Sequence, residues 1–503
     1  MKFPPITAAQ LATLVTLAFA TAGCQKFLDQ PVLGQYEAGQ FFTSDTNAAL
    51  AVSAAYVPLS FRDAASNPLW VLGDVASDDA VKGSNPGDQA DFENIDNFNI
   101  MPTNAAVEAM WKRYYDGIFK CNVVTDGLPA SNAAVSADVR QQVLGQAQFL
   151  RAYYYFQLTT MYGRIPLRVK VETPEELQSP ARDQADIYAQ IEQDCAAAAA
   201  ALPNAWSGAD LGRATKGAAL ALLAKTYLYE KKYALAASTA QQVTALGYTL
   251  LPVQADNFRA ATKNNTESIF SVQHTAGLSP GQGNNLNQWF APRQQNGYGF
   301  FYPTKSLVNS FEKTPAGVVD PRLDYSVGRA GQSFFGIPFD TTWSTTGFLS
   351  KKHLQPLSEV PATTKGDGDL NFQAIRYAEV LLIEAEADNE AGNPAAALVP
   401  LNKVRKRARE SYLNDRALTG YGTVPAGLLP DITTTDQNQL RDYIRRERRA
   451  ELALEFQRFF DVIRYGEAYA KTAFNDRPNF SYARHKFFPV PQSERDTNKK
   501  LGL

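Results

Sequence analysis

The stretch from Thr215 to Gly247 constrains this chain most, because its residues read as two helices that must pack on each other. Thr215 supplies a hydroxyl suited to capping a helix N-terminus. Gly247 supplies the backbone freedom at which a second helix stops. Between them, Leu223, Ala224, Tyr227, Tyr233 and Ala236 put small residues where antiparallel helices touch and aromatics where they diverge. A second pair is punctuated by Gly392-Asn393-Pro394, a C-terminal glycine, an N-cap and a proline at the first helical position. Ala385, Gly392 and Ala397 repeat the same positions, and Ala397, Leu401, Val404 and Ala408 form the apolar stripe of its second helix. Pro400 lies inside that helix and is expected to kink or split it.

Further helical patterns cover residues 48–60, 106–128, 137–162 and 182–202. One helical pair cannot bury its own apolar face, so successive pairs stack into a short solenoid. The predicted fold class is therefore mainly α: a tetratricopeptide-like scaffold of about four helical pairs. Residues 63–104 and 250–372 differ in kind, being rich in Gly, Asn, Pro, Thr and aromatics, with short strand-like runs such as Ser268–Val272. Loops of that length in a compact protein usually carry function. The scaffold is expected to carry long loop-rich excursions and few strands.

At the N-terminus, Lys2 is followed by an apolar run from Leu11 to Ala20, then Thr21, Ala22, Gly23 and Cys24. This pattern reads as an export signal over residues 1–23, too short to remain as a membrane span. A cysteine at the first mature position is what lipoprotein processing needs, and several acyl chains on Cys24 would hold the protein firmly on a membrane surface. Thr21 departs from the Leu usual three places before such a cysteine; an ordinary secretory signal with an incidental Cys24 is the alternative. No later segment is apolar enough to span a bilayer. Lys plus Arg number 49 against 51 Asp plus Glu, so no global field points to nucleic acid. Cys121 and Cys195 make no disulfide framework and read as buried free thiols rather than a bridge.

Several constellations imitate chemistry. The Arg/Glu-rich helix at 441–458 pairs Arg448 with Glu451 and Glu455 with Arg458 at helical spacing, a structural arrangement, with Leu452, Phe456, Phe459 and Ile463 as its buried stripe. Gly277-Leu278-Ser279-Pro280-Gly281 matches a nucleophile elbow in letters, yet Pro280 lacks the N–H an oxyanion hole uses and no helix pattern follows. His274, His353 and His485 are scattered without metal-ligand spacing. Asp367, Asp369 and Asn371 open like a calcium loop, but Phe372 stands where glycine is required; capping a helix at Ile375 is the better account. Asp78 and Asp79 are adjacent, whereas glycosidase carboxylates must flank a bond across a cleft. No metal or cofactor is expected.

Sugar recognition needs aromatic planes beside amides, carboxylates and guanidinium forks. Both excursions hold that mixture. Trp289, Tyr298, Asn94 and Trp343 are the leading candidates, followed by Phe92, Arg293, Tyr302 and Asp79.

A series of strings along the chain resembles the SusD/RagB family of outer-membrane nutrient-binding lipoproteins. They are Cys24-x-x-Phe27-Leu28-Asp29 with Pro31, Gly73-Asp74 with Ser77-Asp78-Asp79, Arg151-Ala152-Tyr153-Tyr154-Tyr155-Phe156, and Tyr162-Gly163-Arg164-Ile165-Pro166-Leu167. Gly212-Arg213-Ala214-Thr215-Lys216-Gly217, Ile375-Arg376-Tyr377-Ala378-Glu379, Arg445-Arg446-Glu447-Arg448-Arg449 and Phe488-Pro489-Val490-Pro491 continue the series. Gln457 departs where the family usually has Gly. The resemblance implies residues 24–503 as one domain, with helix pairs in 24–250 and a C-terminal part 251–503 that carries the loop-rich insertion 251–372. It also implies a non-enzymatic, lipid-anchored protein on the exterior of the outer membrane. Such a protein binds glycans, or in some members peptides, as the lid of a SusC-like TonB-dependent transporter. A surface glycan-degrading enzyme and a structural module of the transporter that binds no ligand itself are the rivals from other classes.

Overall fold

The computed structural model describes residues 41–129, 132–279, 281–360 and 365–502. Cys24 and the segment 1–23 lie outside the described residues. Among the described residues, nine long helices carry the scaffold: α1 Asp45–Tyr56, α2 Ala105–Gly127, α3 Ala137–Tyr162, α4 Gln184–Ala201, α5 Lys216–Tyr229, α6 Tyr233–Thr244, α7 Tyr377–Glu390, α8 Pro394–Asn414 and α9 Gln437–Glu451. Their starts follow local chemistry. Ser44, Asn104, Thr215 and Asp436 each accept a backbone N–H from the first turn of α1, α2, α5 and α9, satisfying donors that have no helical partner. Gly247 and Gly392 take φ of +91° and +86° just past α6 and α7, the left-handed geometry glycine adopts cheaply.

Packing follows chain order. α2 lies on α3, α3 on α4, α4 on α5 and α5 on α6, while α1 covers α2 and α3. The next neighbour of α6 is α7, which begins more than 130 residues later and packs on α6, α8 and α9. The solenoid therefore continues across the excursion as though it were absent. Small residues set the spacing: a Cβ on Gly117 of α2 would sit 2.4 Å from the Tyr154 ring of α3. Cys121 and Cys195 are free and buried. Among the described residues no helix is long and apolar enough to cross a membrane.

Three expectations need correction. α8 runs unbroken through Pro400. The proline removes one N–H from a helix of 21 residues whose apolar stripe, Ala397, Leu401, Val404 and Ala408, is wholly buried and holds the rest in register. Ile375 belongs to a strand, not a helix. Four strands matter here, β1 Ala80–Gly83, β2 Ser268–Val272, β3 Phe300–Pro303 and β4 Phe372–Arg376; β2 and β4 pair antiparallel at the neck of the excursion. Asp367 accepts the Gly277 N–H at 2.7 Å, Asp369 pairs with Lys263 at 2.8 Å and Asn371 accepts the His274 N–H at 2.9 Å, so these side chains tie loops together at that neck.

The third correction concerns the Arg/Glu-rich segment. The helix ends at Glu451, and Leu454 and Phe456 then adopt φ of +62° and +65° before a short helix at Arg458–Arg464. The expected neighbour pairs do not form. Arg448 reaches Asp461 at 2.7 Å and Glu379 at 3.1 Å; Glu451 reaches Arg376 at 2.6 Å, Arg322 at 3.0 Å and Arg407. Glu455 binds Lys352 at 2.7 Å and Arg376 at 2.8 Å. The role is structural, as expected, but the charges are buried and join α7, α8, α9 and the excursion instead of lying along one surface.

Gly73-Asp74 and Asp78-Asp79 form the matching half of this joint. A Cβ on Gly73 would lie 2.1 Å from the Phe456 carbonyl oxygen. Asp74 accepts the N–H groups of Phe456 and Arg458 at 2.9 and 3.0 Å. Burial, reinforced by Asp79, pushes the Asp74 carboxyl up to about 8. Burial opposes charge on Asp78, but Arg458 and Arg449 outweigh it and hold that carboxyl below the usual range. Gln457 has φ of −124°, so its backbone demands no glycine, and its side chain accepts from Lys225 at 2.8 Å. Strings some 380 residues apart in the chain are thus one contact.

Candidate functional site

β1 and β3 pair antiparallel, Ala80 with Pro303, Val81 with Tyr302 and Gly83 with Phe300, and so bring the two excursions together. The helix Ala90–Asp96 turns Phe92 inward, where it lies 5.3 Å from Trp70 and 6.1 Å from Trp289, and leaves Asn94 exposed. Trp70 gathers Trp289, Phe290, Phe300 and Phe301 within 6.0 Å. The aromatics of the loops therefore pack into a cluster around Trp70 that is continuous with the scaffold core, Phe290 and Phe301 both lying against Phe456.

Tyr298 is the outermost ring of this cluster. It is 45% exposed and stands edge-on to Trp289 at 5.5 Å. Beside it, Ser84 Oγ lies 2.7 Å from Asp88 Oδ2 and 2.8 Å from the Tyr298 carbonyl oxygen. Arg293 donates to Ser84 Oγ at 2.7 Å and also binds Asp88. The Ser84 hydroxyl first, then the Asn85 N–H and Arg293, hold the Asp88 carboxyl below the usual range despite some desolvation. The loop continues to the turn at 341–343: Gln294 donates to the Thr342 carbonyl at 3.4 Å and the Tyr302 hydroxyl to that of Trp343 at 3.3 Å. Trp343, half-buried, packs on Phe334 and Phe339.

The eight predicted side chains divide by burial. Tyr298, Arg293, Asn94 and Trp343 offer surface, and the first two share one face. Phe92, Trp289 and Tyr302 are at most 6% exposed. They brace the exposed rings and present no plane of their own. The expectation that loop aromatics have little core to fill fails, because the two excursions fold their aromatics together and extend the buried core of the scaffold. Asp79 is 1% exposed and pairs with Arg449 at 2.7 Å, which removes it from any ligand surface. Ser84 and Asp88 complete the Tyr298 face and were missed; the turn-rich string Gly83-Ser84-Asn85-Pro86-Gly87-Asp88 was the available signal. Among the described residues the first helix after Ser279 begins at Leu286, too far on for a nucleophile elbow.

A tetratricopeptide-like helical scaffold, interrupted by an aromatic-cored excursion that presents a mixed aromatic and polar face, defines the structural class. The family model described as "SusD family" matches residues 266–502, and that described as "Starch-binding associating with outer membrane" matches residues 44–228. The chain belongs to the SusD family. It is similar to the SusD-like protein P2 of Formosa agariphila, 26% identical over 522 residues and 97% of each chain. A solved laminarin binding SusD-like protein superposes with a TM-score of 0.76 at 28% identity, covering 91% of this chain and 98% of that one. A SusD-like carbohydrate binding protein from Bacteroides fragilis superposes with a TM-score of 0.77 at 26% identity, covering 92% and 99%.

Proposed function

We propose that this protein binds nutrient glycans at the Tyr298 face and delivers them, as a lipid-anchored lid on the cell exterior, to a SusC-like TonB-dependent transporter. The observation that carries the reading is the exposed Tyr298 ring, held by Trp289 and flanked by Arg293, Asp88 and Ser84. A pyranose lays its C–H face on such a ring while the guanidinium and carboxylate take its hydroxyls. Asn94 and Trp343 extend the candidate surface. Two structural relatives named for laminarin and carbohydrate binding support the ligand class. The family description places such proteins with the outer membrane. A signal over 1–23, acylation at Cys24 and one mature domain over 24–503 belong to the same proposal, as does a binding role without catalysis. Calorimetry of the purified protein against a panel of neutral oligosaccharides tests it. A saccharide that binds the intact protein and not Y298A upholds the reading; binding to none of the panel overturns it.

A further inference from the structure

A second cleft, of about 680 Å³, is lined by none of the residues of the Tyr298 face. Its walls come from residues 255–259, 317–336, 351–359 and 412–419. Three features of those walls are out of the ordinary.

First, Phe335 stands at the tip of the hairpin that pairs Ser333 with Pro338 and Phe334 with Ile337. Its φ is +51°, followed by Gly336 at +90°. Asn-Gly suits such a turn, and a phenylalanine there costs on the order of 1–2 kcal/mol. A strained residue of this kind points to a use for its side chain. Phe334 supplies the hairpin's packing against Phe339 and Trp343, while the half-buried Phe335 ring lines the cleft.

Second, the carboxylates in the wall already have partners. Arg329 donates to both oxygens of Asp324, at 2.7 and 3.0 Å. Asp415 accepts the Ala417 N–H and the Tyr325 hydroxyl, each at 2.9 Å. Glu359 accepts from Gln355 at 3.1 Å.

Third, Lys351 has no carboxylate partner among the described residues. Its ammonium donates to the carbonyl oxygens of Asp324 at 2.6 Å and Ser333 at 3.4 Å, and lies 5.7 Å from the Phe335 ring centre. Burial pulls its pKa below the ordinary lysine value, against the opposing pull of Asp324. A desolvated ammonium among satisfied acids, next to an aromatic plane, favours an anion that carries an apolar face.

We propose that this cleft is a second saccharide site that takes a uronate unit, with the pyranose face on Phe335 and its carboxylate on Lys351. Gln332 and Arg259, also in the wall, face the hydroxyls. The choice of a sugar as occupant rests on the reading above, whereas the cleft and its unpaired cation do not.

Calorimetry with the full protein, using hexagalacturonate and laminarihexaose as probes, tests the site. Phe335→Asn removes the ring but keeps a residue that tolerates the left-handed turn, and Lys351→Met removes the charge but keeps the apolar stem. Hexagalacturonate binding should weaken about tenfold or more in F335N and in K351M, and remain unchanged in Y298A. Thermal denaturation of each variant confirms folding, and K351R, which keeps the charge, should restore most of the affinity lost in K351M. The inference falls if hexagalacturonate fails to bind, if Y298A abolishes its binding, or if folded F335N and K351M bind it as the intact protein does. Laminarihexaose lost in Y298A with no hexagalacturonate binding at all would sink this site and leave the Tyr298 reading standing.

Discussion

Replacing Glu451 with Gln tests whether the buried ionic joint holds the molecule together. Glu451 is fully buried and faces Arg376 at 2.6 Å, Arg322 at 3.0 Å and Arg407. Burial alone would raise its pKa, but Arg407, Arg376 and Arg322 outweigh it and hold the carboxyl well below the usual range. Removing one partner of a buried pair costs about 3–5 kcal/mol, because the remaining charge is left uncompensated in a low dielectric. Here each guanidinium keeps another carboxylate: Arg376 keeps Glu267 and Glu455, Arg322 keeps Asp320 and Glu447, and Arg407 keeps Glu267. The cost should therefore fall at the lower end, about 3 kcal/mol, still a large share of a typical stability of roughly 5–15 kcal/mol. Urea denaturation at pH 7, followed by tryptophan fluorescence and circular dichroism, measures it. The control is Glu467→Gln, which removes an exposed helical pair with Lys471; such a pair is worth about 0.5 kcal/mol or less. The E451Q penalty should persist in 1 M salt, where the screening length is about 3 Å and counterions still cannot enter the joint. A loss below about 1 kcal/mol, or one that salt erases, would refute a dry, cooperative network.

Tyr298→Ala should abolish binding of the neutral glycan in calorimetry and shift the melting temperature little, since the ring is 45% exposed at the edge of its cluster; a large fall in melting temperature would instead make the ring structural. Gly73→Ala forces a Cβ to within 2.1 Å of the Phe456 carbonyl oxygen. It should cost about 1–3 kcal/mol or more in the same denaturation assay, because backbone on both sides cannot give way. Burial holds His353, against the opposing Leu454 carbonyl, at a pKa of about 4, below the usual 6.5. The folded state therefore keeps the ring neutral while the unfolded chain takes up a proton, so His353 contributes stability above pH 6.5 that is lost as pH falls towards 4. The slope is up to about 1.4 kcal/mol per pH unit. Comparing H353Q with the parent between pH 6.5 and 4 isolates this residue from other titrating groups, and identical slopes would contradict it.

Local signals sufficed for the scaffold. Caps at Thr215 and Gly392, small residues at the crossings and the stripe from Ala397 to Ala408 act within a few residues, so the linear pattern carries them. Pro400 is the exception, because burial of the stripe on either side of it holds α8 together across the lost hydrogen bond. The candidate site was only partly legible. Composition pointed to the loops that carry the candidate face, and Tyr298 and Arg293 do share it. Phe92, Trp289 and Tyr302 look the same on paper, yet they fold inward around Trp70. Exposure depends on which segments meet, and β1 and β3 meet across more than 200 residues.

What the sequence by itself determined is the helical-pair scaffold, the position of its interruptions and the family, because each rests on short-range periodicity or contiguous strings. Tertiary structure alone decided the partners of the charged residues. Arg448, Glu451, Glu455 and Arg458 sit at spacings that suit neighbour pairs, yet each finds its partner in another part of the chain. Water weakens a surface pair at helical spacing to almost nothing. A buried charge must find a counter-charge wherever the fold supplies one.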